Sequence, residues 1–419
     1  MALITMKLNS MSLQNNRLLA LSAAALALPA LAPSAQAVAP TETVLSYRYS
    51  QYREEDLDRA VVSDINVEQG GASTHRYNID VNQYSFSTPV GQHFAMNLDV
   101  QDETLSGATP WGTIMNKNGT PQTDDDRVQV VMSGASIQEH RTEANLGGTY
   151  FYDSGTIGAV VGTSHENDYH SYSGGVSWGG EFDQKQTGVS VGVSGSSDTI
   201  DPTRQTIPDR GGWINGSDPF SGTESKTSFS SYVSASRIIN PNSIIQGGVS
   251  YTQKSGYLSD AYKQNDARPD ERNQYTLNGS YRLWLKPIKS ALHADYRLYN
   301  DDWGVASHTL SMALYKNWQK LQIIPSVRYY TQTQADFYTV NVNGSDFANL
   351  YYSEDARLSQ FGSIATGLKV VFKQKPVEWM LSGEYYTSGA DLSPGTSKYL
   401  ENPGLVNYVK VTVGVDHRF

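Results

Sequence analysis

The sequence predicts an all-β fold: a transmembrane antiparallel up-and-down β-barrel of about sixteen strands, with short periplasmic turns and long extracellular loops. Three observations lead to this class. Apolar and polar residues alternate with a period of two from residue 41 onward, tight turns alternate with long polar connections, and the last alternating segment ends on Phe419. Alternation with this arrangement of turns and loops is typical of bacterial outer-membrane barrels.

The alternation defines the strands and their two faces. In the last segment Val409, Val411, Val413 and Val415 share a face with Phe419. Similar one-sided sets recur at Tyr77/Ile79/Val81, Phe94/Met96/Leu98/Val100, Leu146/Gly148/Tyr150, Val189/Val191/Val193, Tyr275/Leu277/Gly279/Tyr281/Leu283, Leu292/Ala294/Tyr296/Leu298 and Leu321/Ile323/Pro325/Val327/Tyr329. We interpret these faces as facing lipid and the intervening residues as facing the lumen. Pro325 cannot donate to a ladder, which predicts a bulge or a strand end.

The connections set the strand count. Turn-forming residues mark seven tight turns, at 89–91, 153–155, 183–185, 240–242, 286–288, 317–319 and 373–376. Longer polar segments lie between them, including 102–138, 198–225, 255–270, 332–357 and 388–405. Seven tight turns with both termini on one side imply eight hairpins, hence sixteen strands. Tandem soluble β-domains would not produce this regular alternation.

The first 37 residues read as a secretory signal. Lys7 and Arg17 supply positive charge, residues 18–32 form an apolar run, and Ala35-Gln36-Ala37 offers a cleavage site. The run is shorter than the roughly 20 residues of a spanning helix and contains a proline. We therefore expect a signal peptide over 1–37 and a single barrel domain over 38–419, in the outer membrane of a Gram-negative bacterium after cleavage.

Composition excludes several classes of function. The formal net charge of -10 and the scattered basic residues disfavour nucleic acid as a partner. The chain has no cysteine, which excludes disulfides, thiolate metal sites, covalent haem attachment and cysteine nucleophiles. Its 27 tyrosines and 7 tryptophans suit the aromatic girdles of a barrel wall.

The segment over residues 44–56, VLSYRYSQYREED, resembles the opening of a bacterial family catalogued as a domain of unknown function. The likeness extends over the mature chain, including the tyrosine-rich strands and the terminal aromatic residue. It implies an outer-membrane barrel encoded near a small lipoprotein, a thioredoxin-like protein and a flavin transferase. The segment contains no active-site motif, so the resemblance assigns no catalytic residue.

Charged residues at the alternate positions are the candidate functional set. The predicted lumen-facing residues are Arg48, Arg76, Asp80, Asp99, Glu143, Arg282, Asp295, Arg297, Arg328 and Glu384. Rings of charged side chains act as selectivity filters in channels. The alternative is ordinary lumen polarity, which holds the wall and any inserted loop in place. Phe419 is predicted to be the signal read by the barrel assembly machinery.

Two segments have metal-ligand composition. His165, Glu166, Asp168 and His170 lie within six residues, but their spacing matches no helical His pair, and a solvated loop explains them without a metal. The run Asp124-Asp125-Asp126 lacks the alternating ligands and central glycine of an EF-hand. We therefore expect no cofactor and retain the His165–His170 segment as a weak metal candidate.

These observations leave three functional hypotheses. The first is a porin-like channel for small solutes. The second is a barrel that serves as scaffold or conduit for a periplasmic redox or export partner, such as a lipoprotein or redox protein. The third is an outer-membrane enzyme, which the sequence disfavours because it contains no nucleophile elbow, zinc-protease motif or phosphate-binding loop. Ser307, His308 and Gly304 are close in sequence but have no supporting pattern.

Overall fold

A computed structural model describes residues 39–63, 73–115, 128–132, 137–201, 222–261, 263, 266–340, 349–395 and 401–419. The predicted signal peptide and Asp124-Asp125-Asp126 lie outside these residues. Sixteen of the twenty strands within these residues form a closed antiparallel barrel, because the first strand pairs with the last. This confirms the predicted fold class. The barrel strands are β1 (Val44–Glu54), β2 (Asn78–Val90), β3 (Phe94–Gly107), β6 (Ile137–Tyr152), β7 (Gly155–His165), β8 (Tyr169–Phe182), β9 (Thr187–Ile200), β10 (Glu224–Asn240), β11 (Ser243–Gly256), β13 (Glu271–Leu285), β14 (Ser290–Asp301), β15 (Ala306–Trp318), β16 (Leu321–Gln332), β18 (Phe361–Gln374), β19 (Val377–Gly389) and β20 (Tyr408–Arg418).

Four short strands lie in the loops and form two small sheets. The strands are β4 (Pro110–Met115), which pairs with β5 (Val128–Met132), and β12 (Asp266–Ala267), which pairs with β17 (Tyr352–Ser353). Short 3-10 helices occur at Arg59–Val61, Lys286–Ile288, Ala356–Leu358 and Ala390–Leu392. No helix in the described part of the chain has the length and apolar composition needed to cross a membrane.

All seven predicted tight turns join neighbouring strands at one end of the barrel. The chain termini lie at this turn end too, where the Phe419 amide donates to the Thr43 carbonyl at 2.9 Å. At the opposite end, the loop end, most connections are long. The strands reach further into them than predicted, since β3 continues to Gly107 although the sequence suggested a loop from residue 102.

An apolar belt surrounds the barrel. On β20 Val409, Val411 and Val413 are 43–44% exposed, whereas Thr412 between them is 8% exposed. Exposed apolar residues on the other strands continue the belt, among them Leu98, Leu146, Val193, Leu277 and Val327. We call this side of the wall the outer face and the opposite side the inner face. Six of the seven further apolar sets read from the sequence lie on the outer face.

The seventh set, Tyr77/Ile79/Val81, was assigned to the wrong face. Val81 points inward and is 8% exposed, while Tyr84 and Phe86 form the outer face of β2. The reason is the position of these residues along the barrel axis. Near the loop end the outer face lies beyond the apolar belt and becomes polar, and the inner face packs against folded loops and becomes apolar. Most buried apolar side chains therefore belong to the loop end, including Leu105, Trp111, Trp303 and Leu358.

Pro325 lies in the middle of β16, at neither a bulge nor a strand end. It sits on the exposed outer face, and the β16–β18 ladder continues past it in unbroken register. On its other side the pairing of β15 with β16 is interrupted between Ala313/Ser326 and Lys316/Ile323, but the register is the same before and after. The missing amide donor thus removes pairing locally and leaves the barrel order unchanged.

Candidate functional site: the inner wall and the loop cap

Nine of the ten predicted lumen residues are on the inner side of the structure. Arg76, one of the nine, precedes β2 and is buried beneath the loops, where its Nε donates to Glu54 Oε2 at 2.6 Å. Asp80 is the exception. It shares the outer face with Tyr84 and accepts from Tyr49 Oη at 2.6 Å, because the alternation of β2 was assigned to the wrong face.

Four inner-face charges form a row on β14, β16, β19 and β20, which we call the charged row: Arg297, Arg328, Glu384 and Lys410. On every one of these strands a tyrosine lies two residues closer to the loop end. We call these the tyrosine shelf: Tyr299, Tyr330, Tyr386 and Tyr408. Residues two apart share a face of a strand, so each tyrosine stands directly above its charged neighbour.

The tyrosine shelf forms part of the packed interior. Tyr386 and Tyr408 are stacked with ring centroids 4.6 Å apart, and Val406 from the final loop packs against them. The Tyr408 hydroxyl donates to Glu384 Oε1 at 2.8 Å. A layer of aromatic rings and loop residues therefore covers the charged row on the side toward the loop end.

Other inner-face charges form compact ion pairs. Arg48 Nη2 lies 2.6 Å from Asp416 Oδ1, and Arg282 Nη2 lies 2.7 Å from Asp295 Oδ1. Asp99 accepts a hydrogen bond from the Ser85 hydroxyl and remains exposed on the inner face. Accessible, inward-pointing charge indicates open space inside the wall at these heights.

The wall opposite the charged row is built of small residues. Counting round the ring of sixteen strands, β8, β9 and β10 lie across from β18, β19 and β20. Their inner faces carry mostly serine and glycine, namely Ser171, Ser173, Gly175, Ser177, Ser190, Gly192, Ser194, Ser196, Ser228, Ser230, Ser234 and Ser236. Short side chains leave the lumen widest on this side. The alternation in the sequence already places these small residues on one face, but only the order of strands round the ring shows which residues lie opposite them.

A carboxylate cluster borders this wall: Glu103 on β3, Glu143 on β6 and Glu166 in the β7–β8 loop. Arg141 Nη2 donates to Glu143 Oε2 at 2.6 Å, and Arg141 Nε lies 3.5 Å from Glu166 Oε1. Burial raises the pKa of Glu166 to about 8, against the opposing effect of Arg141. The inner wall is thus more acidic here and more basic around the charged row.

The predicted metal-ligand set is not brought together. His165 and His170 pair across the β7–β8 hairpin on the outer face, with their Nδ1 atoms 2.6 Å apart, whereas Glu166 and Asp168 are buried on the inner side. Successive residues of an extended chain face opposite ways, so these four side chains lie on two sides of the wall although they are close in sequence. Among the described residues no group of three or more His, Asp or Glu side chains is arranged to hold a metal ion.

The same rule separates Ser307 from His308. Ser307 is 5% exposed on the inner face, and His308 lies on the outer face with its Nδ1 2.6 Å from Tyr296 Oη. The two side chains therefore cannot act on one substrate as nucleophile and base.

A loop cap lies over the loop end of the lumen. Its centre is a network of buried and half-buried charges from the β11–β13 and β16–β18 loops: Asp260, Asp266, Arg268, Asp355 and Arg357. Asp355 is fully buried and accepts from Arg268 Nη2 at 2.8 Å and from Arg357 Nε at 2.7 Å. One carboxylate thus ties two arginines from separate loops.

The cap also joins loops from distant parts of the ring. Lys263 Nζ donates to the Pro110 carbonyl at 2.9 Å, and Glu354 Oε2 accepts from the Thr113 amide at 2.7 Å. Asn402 Nδ2 donates to the Glu354 carbonyl at 2.9 Å. A sixteen-strand barrel is about 30 Å across between backbones. Loops that start six strands apart and still touch must therefore extend over the mouth.

The loop cap is expected to survive mild acid. The arginines around Asp355 hold the pKa of its carboxyl well below 3.8, and that of Asp260 is lowered too, against the effect of burial. Burial raises the pKa of Asp266 in the same network, and protonation of that carboxyl relieves the cost of burying its charge, so it does not open the cap. A carboxyl with a depressed pKa stabilises the fold above its unfolded pKa and loses this contribution as pH falls through the folded one. Loop proteolysis by an acid-tolerant protease should be unchanged from pH 7 to 5 and rise only below about pH 3. Opening between pH 6 and 5 would contradict this.

Comparison with known proteins identifies the family of the chain. The family model described as "Protein of unknown function (DUF3570)" matches residues 18–415. The chain belongs to this family. The membership confirms the resemblance read from the sequence, and it carries no assigned activity. No curated protein matches the chain.

Solved structures that are similar to this chain share little sequence identity with it. A bacterial polysaccharide outer membrane secretin is 10% identical, with a TM-score of 0.44, over 90% of this chain and 98% of that chain. OccD3 from Pseudomonas aeruginosa is 10% identical, with a TM-score of 0.39, over 94% and 97%. CdiB from Acinetobacter baumannii is 7% identical, with a TM-score of 0.46, over 91% and 60%.

Proposed function

We propose that the protein is a channel for small polar solutes across the outer membrane. The observation that carries this proposal is the accessible charge on the inner face at mid-wall. Asp99 is exposed although it points inward, and the Asp295 side chain keeps 36% of its accessible surface despite its ion pair. Charged side chains with this accessibility need water beside them, which a polar lumen of a sixteen-strand barrel provides.

The outer face supports a membrane location. Its exposed valines, leucines and aromatic residues would be unfavourable in water, and the closed ring leaves no strand edge unpaired. Closed barrels of this kind satisfy every backbone group within the wall, which is the condition for crossing a bilayer with strands. The expected site is therefore the outer membrane, with the turn end toward the periplasm.

Planar-bilayer recording tests the channel directly. Purified, heat-modifiable protein should insert and produce stepwise conductance in KCl. The same preparation unfolded by boiling before addition is the control and should be silent. A silent bilayer from correctly folded protein, repeated at both signs of voltage, would contradict the proposal.

The loop cap favours a second candidate, a barrel that serves as scaffold or conduit for a periplasmic redox or export partner. The tied loops cover the mouth, so solute passage across the whole wall requires either gaps in the cap or its displacement. Affinity isolation from membranes in mild detergent should then recover a lipoprotein or redox protein with the barrel. Recovery of the barrel alone under several growth conditions would contradict this candidate. That the protein is not an enzyme stays a prediction.

A further inference from the structure

We propose that the charged row is a binding site for small oxyanions, such as carboxylates and phosphates, that pass beneath the loop cap. The inference rests on the proposed channel function and names the class of solute. The row carries three basic side chains and one acidic one, Arg297, Arg328, Lys410 and Glu384, so its net charge is positive in a protein whose overall charge is negative.

The two arginines of the row are incompletely satisfied. Arg297 Nε and Arg328 Nη2 are buried and have no hydrogen-bond acceptor among the described residues. No carboxylate of the described chain forms an ion pair with Arg297, whose guanidinium lies 5.8 Å from the centre of the Tyr299 ring. Arg48 and Arg282, by contrast, each have a carboxylate oxygen within 2.7 Å.

Glu384 forms an ion pair with Arg328 but no hydrogen bond to it. Its Oε1 lies 3.9 Å from Arg328 Nη2, beyond hydrogen-bond distance, and the same oxygen accepts from the Tyr408 hydroxyl at 2.8 Å. Removing a guanidinium from water without a bonded anion costs free energy. A solute oxyanion that supplied acceptors to Arg297 and Arg328 would recover that cost.

The surroundings determine which anion fits. Guanidinium groups bind carboxylate and phosphate oxygens through paired N–H donors, so an oxyanion makes more bonds here than chloride. The tyrosine shelf closes the site toward the loop end, and the serine and glycine wall across the lumen leaves room for the rest of the solute. The exposed carboxylate of Asp99, on the other half of the wall, would repel an anion toward the row.

Ion selectivity in a bilayer is the first test. The reversal potential under a KCl gradient should show that Arg297→Gln and Arg328→Gln each lower the anion-to-cation permeability ratio by about threefold, because each removes one charge beside the ion path. Arg297→Lys, which keeps the charge, should conserve the ratio. Asp99→Asn removes the opposite charge and should raise it.

Phosphate binding by the detergent-solubilised protein is the second test and does not require conduction. Inorganic phosphate should raise the thermal unfolding midpoint of the parent protein more than equal ionic strength of KCl does. The effect should be lost in the double variant Arg297→Gln/Arg328→Gln, provided that this variant is heat-modifiable. It should be weakened but not lost in Arg297→Lys, which keeps the charge and loses the paired N–H donors.

The two tests separate this inference from the channel proposal. A conducting barrel whose permeability ratio and phosphate response ignore the arginines would overturn the anion site and leave the channel standing. Phosphate stabilisation that depends on the arginines in a barrel that does not conduct would support the site and overturn the channel.

Discussion

Leu98→Arg should remove most of the folded protein from the outer membrane, whereas Asn97→Arg should leave its amount close to normal. Leu98 is 41% exposed on the outer face, and its partners on the two neighbouring strands, Phe86 and Leu146, are apolar and exposed as well. A basic side chain near the middle of a barrel's lipid face costs about 2–4 kcal/mol.

Asn97 provides a matched control, since it is the next residue on the same strand and faces the lumen between Ser87 and Gly147. Those small neighbours give an arginine room and water. The measurement is the fraction of protein that migrates as the folded, heat-modifiable species in outer-membrane preparations. Equal fractions for the two variants would show that this face of β3 does not contact lipid.

Val413→Arg on β20 is expected to act in the same direction. Its neighbour Thr412 is a poorer control than Asn97, because its hydroxyl and that of Ser50 are buried and lie 2.8 Å apart. An arginine at that position would lose this hydrogen bond as well as change the charge. A lumen position therefore tolerates charge only where its neighbours leave space.

The wall could be predicted because its determinants are local. A period of two assigns each residue to a face of the wall. Turn residues with positive φ mark the hairpins, as at 183–185, with φ of 52–68°, and at Gly91, with φ of 67°. The same rule failed for Asp80 because a period of two does not show where a residue lies along the barrel axis relative to the apolar belt. Where β2 leaves the apolar belt, the apolar face becomes the inner one, and alternation alone cannot show that exchange.

The loop cap and the charged row could not be predicted for a different reason. Arg268 and Asp355 are far apart in sequence and follow no period, so their contact depends on how two loops fold together. Arg297 and Arg328 were correctly placed inward by alternation. Their relation to the tyrosine shelf and their distance from Glu384 depend on strand order and register, which the sequence of one strand does not contain.

Asp355→Asn should open the loop cap while the barrel stays folded. The substitution keeps the shape and removes the charge that Arg268 and Arg357 share, in a position with no solvent exposure. Breaking a buried ion pair by removing one partner costs about 3–5 kcal/mol. Because Asp355 lies outside the sixteen barrel strands, this cost should appear as local opening of the loops.

Protease cleavage of the loops in reconstituted vesicles is the measurement. The cleavage rate is proportional to the fraction of molecules with an open cap when opening and closing are fast. It should therefore rise by about a hundredfold or more for Asp355→Asn, and the mean conductance should increase. Asp302→Asn is the matched control, because Asp302 is exposed at the same end of the barrel and accepts from the Asn273 amide at 2.9 Å. It should change cleavage little. Unaltered cleavage in Asp355→Asn, with heat modifiability intact, would mean that the arginine network does not hold the loops over the mouth.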